Sequence, residues 1–218
     1  MSNIFSSISD LIFTLIAIIP ALSVHEYAHG WVSWKLGDPT PKMDGRLSLN
    51  PLHHLDPLGT LFLVIFKFGW AKPVMVNPQY YKRPKEGMAL VALAGPVANF
   101  IFALVCLVIC NLIAKISGGT VSQTVYYLYQ AFLVMALVNA GLGVFNLIPL
   151  PPLDGSKILG AILPANTYFR YMQFERYGFV VLFFLLYIGT LNKPLVMARG
   201  AVMDYLNFIA GKLTFFVG

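Results

Sequence analysis

Charge is scarce in this chain of 218 residues: 15 Lys and Arg and nine Asp and Glu make up 11% of it, against 58% hydrophobic residues. A soluble domain of this length buries its core with far less apolar content. The mean hydropathy of +0.73 therefore points to an integral membrane protein. Cysteine is scarce too. The two present, Cys106 and Cys110, lie one helical turn apart in the apolar stretch FALVCLVICNLIA. No disulfide framework follows from them, and they read as two small buried residues rather than a metal pair. Lys and Arg are absent from the opening MSNIFSSISD, unlike the start of a secretory signal, so the apolar run after it reads as a retained span. Repeats and low-complexity tracts are absent. The net charge of +6 is spread over loops and not clustered with aromatics, so it informs topology and excludes a nucleic-acid surface.

What is present is a series of long apolar runs. Those at roughly 8–33, 87–114, 124–148, 177–192 and 195–216 are candidate spans, each near the length that crosses a bilayer. A sixth, LGTLFLVIF at 58–66, is too short to cross comfortably and reads as a half-buried or re-entrant piece, or as a span finished by its neighbours. Basic residues gather in 34–57, 67–86 and 151–176, while ISGGTVSQ at 116–123 has no charge. The positive-inside tendency then places the basic stretches in the cytoplasm, the N-terminus outside, and His29 toward the cytoplasmic side. KMDGRLSLN (42–50) and WAKPVMVNP (70–78) show near-alternation and read as extended segments of a small sheet beside the spans. The expected architecture is an all-α membrane bundle of about five to six spans plus that sheet, with residues 1–218 forming a single multi-pass domain of the cell membrane.

One stretch does not suit lipid. From Leu11 to Val24 no side chain is charged, and then comes His25-Glu26-Tyr27-Ala28-His29. A carboxylate deep in a span costs on the order of 3 kcal/mol, so an ionisable group there is functional by default. His25 and His29 are four residues apart, on one helical face and one turn above the other, the spacing with which two imidazoles grip one zinc ion. Glu26 is rotated by about 100° from His25, beside the metal and not on it. There it can take a proton from an activated water and pass it to a leaving amine. Pro20 frees a carbonyl one turn earlier and can kink the helix, which would admit water or merely serve packing.

A catalytic zinc needs a third protein ligand and an open fourth position. Asp10, Asp38, Asp44, Asp56, Glu86, Glu175 and Asp204 lie in or beside polar or basic stretches, where solvation explains them. Asp154 does not: no charge occurs from Ile116 to Leu153, and the carboxylate then appears in NLIPLPPLDGSKIL, where three prolines open the backbone. Broken backbone at membrane depth is tolerated where it lines a polar cavity, which makes Asp154 the candidate third ligand. Capping a helix before Gly155 is its competing role, and His53 and His54 in NPLHHLDP are rival ligands or an exposed loop pair. On the same broken segment Asn146 is placed to donate to a developing oxyanion, or else to satisfy carbonyls freed by the prolines. Asn99, inside the run AGPVANF, reads as an interhelical hydrogen bond. The donor set suits zinc without excluding iron or cobalt.

HEYAH at 25–29 and NLIPLPPLDG at 146–155 together resemble the site-2 protease family of intramembrane zinc metalloproteases. GRLSLNPLHHLDPLGT (45–60) and GWAKPVMVNP with GMALVALAGPVANF (69–100) are similar to its compact members, in the same order, so the likeness covers most of residues 10–165. It implies one zinc held by His25, His29 and Asp154, Glu26 as catalytic base, and Asn146 near the scissile carbonyl. The partners it implies are the lipid bilayer and a transmembrane protein or peptide whose helix unwinds to pair with an exposed strand edge. A chain of this size leaves no room for a PDZ or CBS-type regulatory domain, which sets it apart from many relatives. A metal transporter, an inactive scaffold and a prenyl-protein peptidase are the other classes that place such groups in a membrane.

Overall fold

The computed structural model describes residues 8–59, 62, 71–118, 122–173 and 175–215. The expectation of a short or re-entrant piece at 58–66 falls mostly outside them. The described residues are predominantly helical. Helix α1 (Ile8–Lys35) is followed by the single turn α2 (Thr40–Met43) and two short 3-10 turns at Pro51–His53 and Pro78–Tyr80. Then come α3 (Pro84–Ile116), α4 (Gln123–Asn146), α5 (Asp154–Ile162), α6 (Ala165–Gln173), α7 (Glu175–Ile188) and α8 (Asn192–Thr214).

Local chemistry explains the ends. Lys35 sits in the last turn of α1, where it complements the helix dipole, and Gly37 at φ 106° turns the chain out of the helix. Pro84 opens α3 with Glu86 in its first turn and Lys115 in its last, and the Ser122 hydroxyl caps α4 by accepting from Val125 N at 3.3 Å. Pro20 and Pro96 lie inside α1 and α3, each of which continues through its proline.

Helices α1, α3 and α4 pack on one another, α8 closes against α3 and α4, and α5 leans on α3. Small side chains set these approaches. Ala103 and Cys106 of α3, Ala136 and Ala140 of α4, and Ala210 of α8 are fully buried together with Leu107 and Leu206. With hydrocarbon outside as apolar as the core, close backbone approach is what holds membrane helices together. The outer face of α3 shows Leu90, Leu93, Val97, Ile101 and Val105, and that of α7 shows Val180, Phe183, Phe184 and Tyr187. So much exposed apolar surface fits lipid and no aqueous setting.

Two expectations go further than the described residues do. Helices α3 and α4 are each long and apolar enough to cross a membrane, while α7 and α8 pass only as a pair bent by 89° at their junction. Helix α7 has 14 residues, roughly 21 Å of rise against a hydrocarbon core of about 30 Å, so 177–192 is not a span by itself. Among the described residues two helices have the length and apolarity of a span, or three with the bent pair, so five to six spans are not confirmed. The small sheet is likewise absent among the described residues, where the sole pairing is one antiparallel bridge between Leu55 and Ala71. Residues 42–50 are no strand because Pro39 and Pro41 seed a helical turn and Gly45, at φ 67°, reverses the chain, which commits the amides of Met43 to Arg46 locally. Residues 72–77 are extended but unpaired as a strand.

Asp38 ties these loops to α1. It is fully buried, not solvated as the polar surroundings suggested. Its carboxylate accepts from Ser33 Oγ (2.7 Å), Thr40 N (2.9 Å) and Asn77 N (2.7 Å), so one side chain anchors the end of α1, the start of α2 and the extended 72–77 segment. Burial would raise its pKa, but these donors outweigh burial and hold it below the ordinary carboxylate value. A depressed native pKa contributes stability above the unfolded value near 4, which is lost as pH falls through the native one. Asp38→Ala is expected to cost about 3 kcal/mol, read as a lower unfolding temperature in detergent at pH 7, with the gap from wild type closing as pH drops below about 4.

Candidate metal centre

Helix α1 presents His25 and His29 on one face, with ring centroids 4.6 Å apart and planes at 89°. That face lies against α3 at Gly95. A Cβ there would stand 2.6 Å from His25 Cε1 and from His29 Nε2, so only glycine leaves room for both rings. The carboxylate arrives from the far end of the chain. After α4 the prolines break the helix, and α5 restarts at Asp154 with Leu153, not Asp154, in the capping position. Gly155 lets the restart press onto the end of α4, since a Cβ on it would lie 2.3 Å from the Leu147 carbonyl oxygen.

The three side chains meet. Asp154 Oδ2 lies 3.1 Å from His25 Nε2 and 3.2 Å from His29 Nε2. All three are buried, at 4%, 8% and 7% exposure for His25, His29 and Asp154. Their orientation is fixed from behind. His29 Nδ1 faces the Val91 carbonyl at 2.7 Å, which can only accept, so Nδ1 carries the proton. Asn99 donates its amide to Ala21 O (3.1 Å) and Asn139 Oδ1 (2.8 Å), which leaves its Oδ1 to accept from His25 Nδ1 at 2.6 Å. Asn139 in turn donates to Met135 O at 2.8 Å. With Nδ1 committed behind each ring, both rings turn Nε2 toward the same carboxylate oxygen. Three lone-pair atoms in one buried spot repel unless a cation or extra protons lie among them. Among the described residues these are the group of three able to hold a metal, and two imidazoles with one carboxylate suit zinc with a position left open.

The group opens onto a cavity of about 170 Å³ whose walls include Glu26, Val74, Val76, Asn146 and Lys157. Glu26, half-buried, accepts from Val74 N at 3.0 Å through Oε2. Asn146 faces the same cavity while one amide hydrogen goes to Leu142 O at 3.1 Å. Lys157 Nζ stands 3.7 Å from the second oxygen of Asp154. All five sequence-predicted residues thus converge. His53 and His54 do not join them: His53 is exposed with Nδ1 on Gly45 O at 2.9 Å, and His54 is fully buried with Nε2 on Ser48 O at 2.6 Å. The reading of these two as an exposed loop pair holds for His53 alone.

Gly95, Asn139 and Val91 are not among the sequence-based candidates, and Asp38 stands there only as a solvated carboxylate. For Asn139 a signal exists, an amide in the otherwise apolar run FLVMALVNAGLGVF. For Val91, whose contribution is a backbone oxygen, there is none.

Apolar helices closed around two imidazoles and a carboxylate define, by fold and site, a membrane protein with a metallopeptidase-type centre. Comparison with known proteins agrees. The chain matches Peptidase family M50 over residues 13–129 and 113–189. It is 37% identical over 190 residues to "Putative zinc metalloprotease YwhC" of Bacillus subtilis, covering 87% of this chain and 86% of that one. It is 29% identical over 221 residues to "Putative zinc metalloprotease Rip2" of Mycolicibacterium smegmatis, covering 97% and 83%. "Zinc metalloprotease MJ0392" of Methanocaldococcus jannaschii is 39% identical over 82 residues, covering 38% and 22%. No solved structure matches. The chain belongs to peptidase family M50, the site-2 protease family.

Two substitutions test the centre. Asn99→Ala releases the His25 tautomer and is expected to weaken metal affinity about 10- to 100-fold, measured by chelator competition. Gly95→Ala is expected to abolish stoichiometric metal while helix content is retained, read by metal analysis and circular dichroism on one sample.

Proposed function

We propose that this protein is an intramembrane zinc metalloprotease that hydrolyses peptide bonds of membrane-spanning substrates. The observation that carries the reading is the meeting of His25, His29 and Asp154 at the wall of a cavity that Glu26 and Asn146 share. Zinc would be held by His25, His29 and Asp154; bound there, it supplies a Lewis acid that acidifies water and polarises a carbonyl.

The chain's own residues do the rest. Glu26 uses Oε2 to hold Val74 N and keeps Oε1 for catalysis, where it takes the proton of the attacking water and later delivers it to the leaving nitrogen. Asn146 spends one amide hydrogen on Leu142 O and turns the second toward the carbonyl oxygen as negative charge develops. The extended 72–77 segment, placed over the cavity by Asp38, offers Met75 and Val76 amides that have no hydrogen-bond partner among the described residues. An extended stretch of substrate pairs along it, which fixes the scissile carbonyl. The 42–50 segment, a turn, no longer has this role.

Helix α1 and the bent pair of α7 and α8 join α3 and α4 as the membrane-embedded body. At the end of α1, Lys35 Nζ lies 4.6 Å from the Trp34 ring and 5.6 Å from that of Trp31, and Lys42 lies 5.4 Å from Trp34. Such a cationic and aromatic cluster suits the membrane–water boundary and supports a centre near the cytoplasmic side.

Glu26→Gln is expected to bind zinc at full stoichiometry yet cleave a single-span substrate about 100- to 10,000-fold more slowly, while His25→Ala loses metal and cleavage together. Undiminished cleavage by Glu26→Gln would remove the assignment.

A further inference from the structure

A second cavity, about 740 Å³, opens between α1, α4 and α8, away from the metal centre's walls. Its sides are largely apolar, with Thr14 and Gln130 as exceptions: Phe13 comes from α1, and Val134, Leu137 and Val138 from α4. Tyr126 and Tyr127 stand in the same wall, and Tyr127 stacks on Phe13 with ring centroids 6.3 Å apart. Arg199 of α8 also enters the wall, packed over Gly141 of α4, where a Cβ would lie 3.5 Å from Arg199 Cδ.

Arg199 is out of place there. It is half-buried and has no hydrogen-bond or ion-pair partner among the described residues. A guanidinium stays charged at any relevant pH, and in hydrocarbon it is costly unless an anion meets it. Elsewhere α8 places its cations near its ends: Lys193 stands in the first turn and Lys212 in the last. Arg199 lies within the helix and faces a groove that hydrocarbon chains could fill.

We propose that this groove binds an anionic phospholipid, with its phosphate on the Arg199 guanidinium and an acyl chain along Phe13, Val134, Leu137 and Val138. The fork of a guanidinium matches two phosphate oxygens, and each charge-assisted bond is strong where water is scarce. Neither half of the groove suits a different ligand as well. Inorganic phosphate leaves the apolar wall uncovered, and a zwitterionic headgroup brings its own cation against the arginine. Gly141, under Arg199, is five residues before Asn146 on the same helix, so a lipid seated there braces the end of α4 that faces the metal centre.

The test uses the full chain purified in detergent with phosphatidylglycerol, phosphatidylcholine or inorganic phosphate added in turn. Retained lipid is counted by native mass spectrometry, and the unfolding temperature is recorded on the same samples. The wild type is expected to retain phosphatidylglycerol and gain thermal stability from it, with no gain from phosphatidylcholine or inorganic phosphate. Arg199→Met is expected to retain it about tenfold or more weakly. Arg199→Lys, which keeps the charge and loses the fork, is expected to fall between. Leu137→Trp fills the groove with Arg199 intact and is expected to lose the lipid as well, which covers the case in which Arg199→Met fails to fold. Equal retention of both lipids by the wild type would overturn the proposal, as would undiminished phosphatidylglycerol on Arg199→Met and Leu137→Trp. A stabilising response to inorganic phosphate alone would reassign the site to a free anion. A raised KM for a cleaved substrate with lipid retention unchanged would reassign it to an acidic substrate side chain.

Discussion

Everything at the centre depends on where two protons sit. An imidazole can turn a lone pair toward a shared point only if its other nitrogen carries the hydrogen, and that hydrogen needs an acceptor. Among apolar helices acceptors are few. The chain supplies one from a carbonyl of Val91 and one from the amide oxygen of Asn99. Asn99 can only accept because Ala21 and Asn139 take both of its amide hydrogens. The tautomer of one histidine is thus set by a relay across three helices, α1, α3 and α4, and the relay is also what locks those helices in register. Stability and chemistry here share the same hydrogen bonds.

The parts of this arrangement that were legible in the amino-acid sequence are those that obey a short-range rule. The four-residue spacing of His25 and His29 specifies a helical face, and the prolines before Asp154 specify a broken backbone at membrane depth. Both readings survive in the structure because helix periodicity and the missing proline N–H do not depend on tertiary context. Asp38 shows the opposite case. Its neighbours in the chain are polar, so solvation was the natural reading, yet Ser33, Thr40 and Asn77 close over it from three segments. No local pattern reports a partner 39 residues away. The alternation in 42–50 misled for a related reason: period two is a weak signal when prolines and a left-handed glycine can satisfy the same amides within a turn.

Helix placement follows size more than hydrophobicity. Apart from Asn99 and Asn139 the middle turns of α3 and α4 are largely apolar all round, so apolarity by itself does not choose which side turns inward. Alanine, cysteine and glycine choose it by letting backbones approach, and at Gly95 the same smallness is what admits the two imidazoles. The packing rule for the bundle and the steric rule for the metal centre are therefore one rule applied at successive turns of α3.

The cavity beside His25, His29 and Asp154 is small. About 170 Å³ is the room of five or six water molecules, at roughly 30 Å³ each. A helix keeps its amides and carbonyls paired within itself, so a helical guest has none to offer the extended 72–77 segment beside the cavity. On the proposed reading, a polypeptide is admitted only as a locally melted thread. Selection then falls on how readily a stretch of guest helix frays, so glycine, proline or asparagine near the cut governs turnover more than any particular side chain beside it.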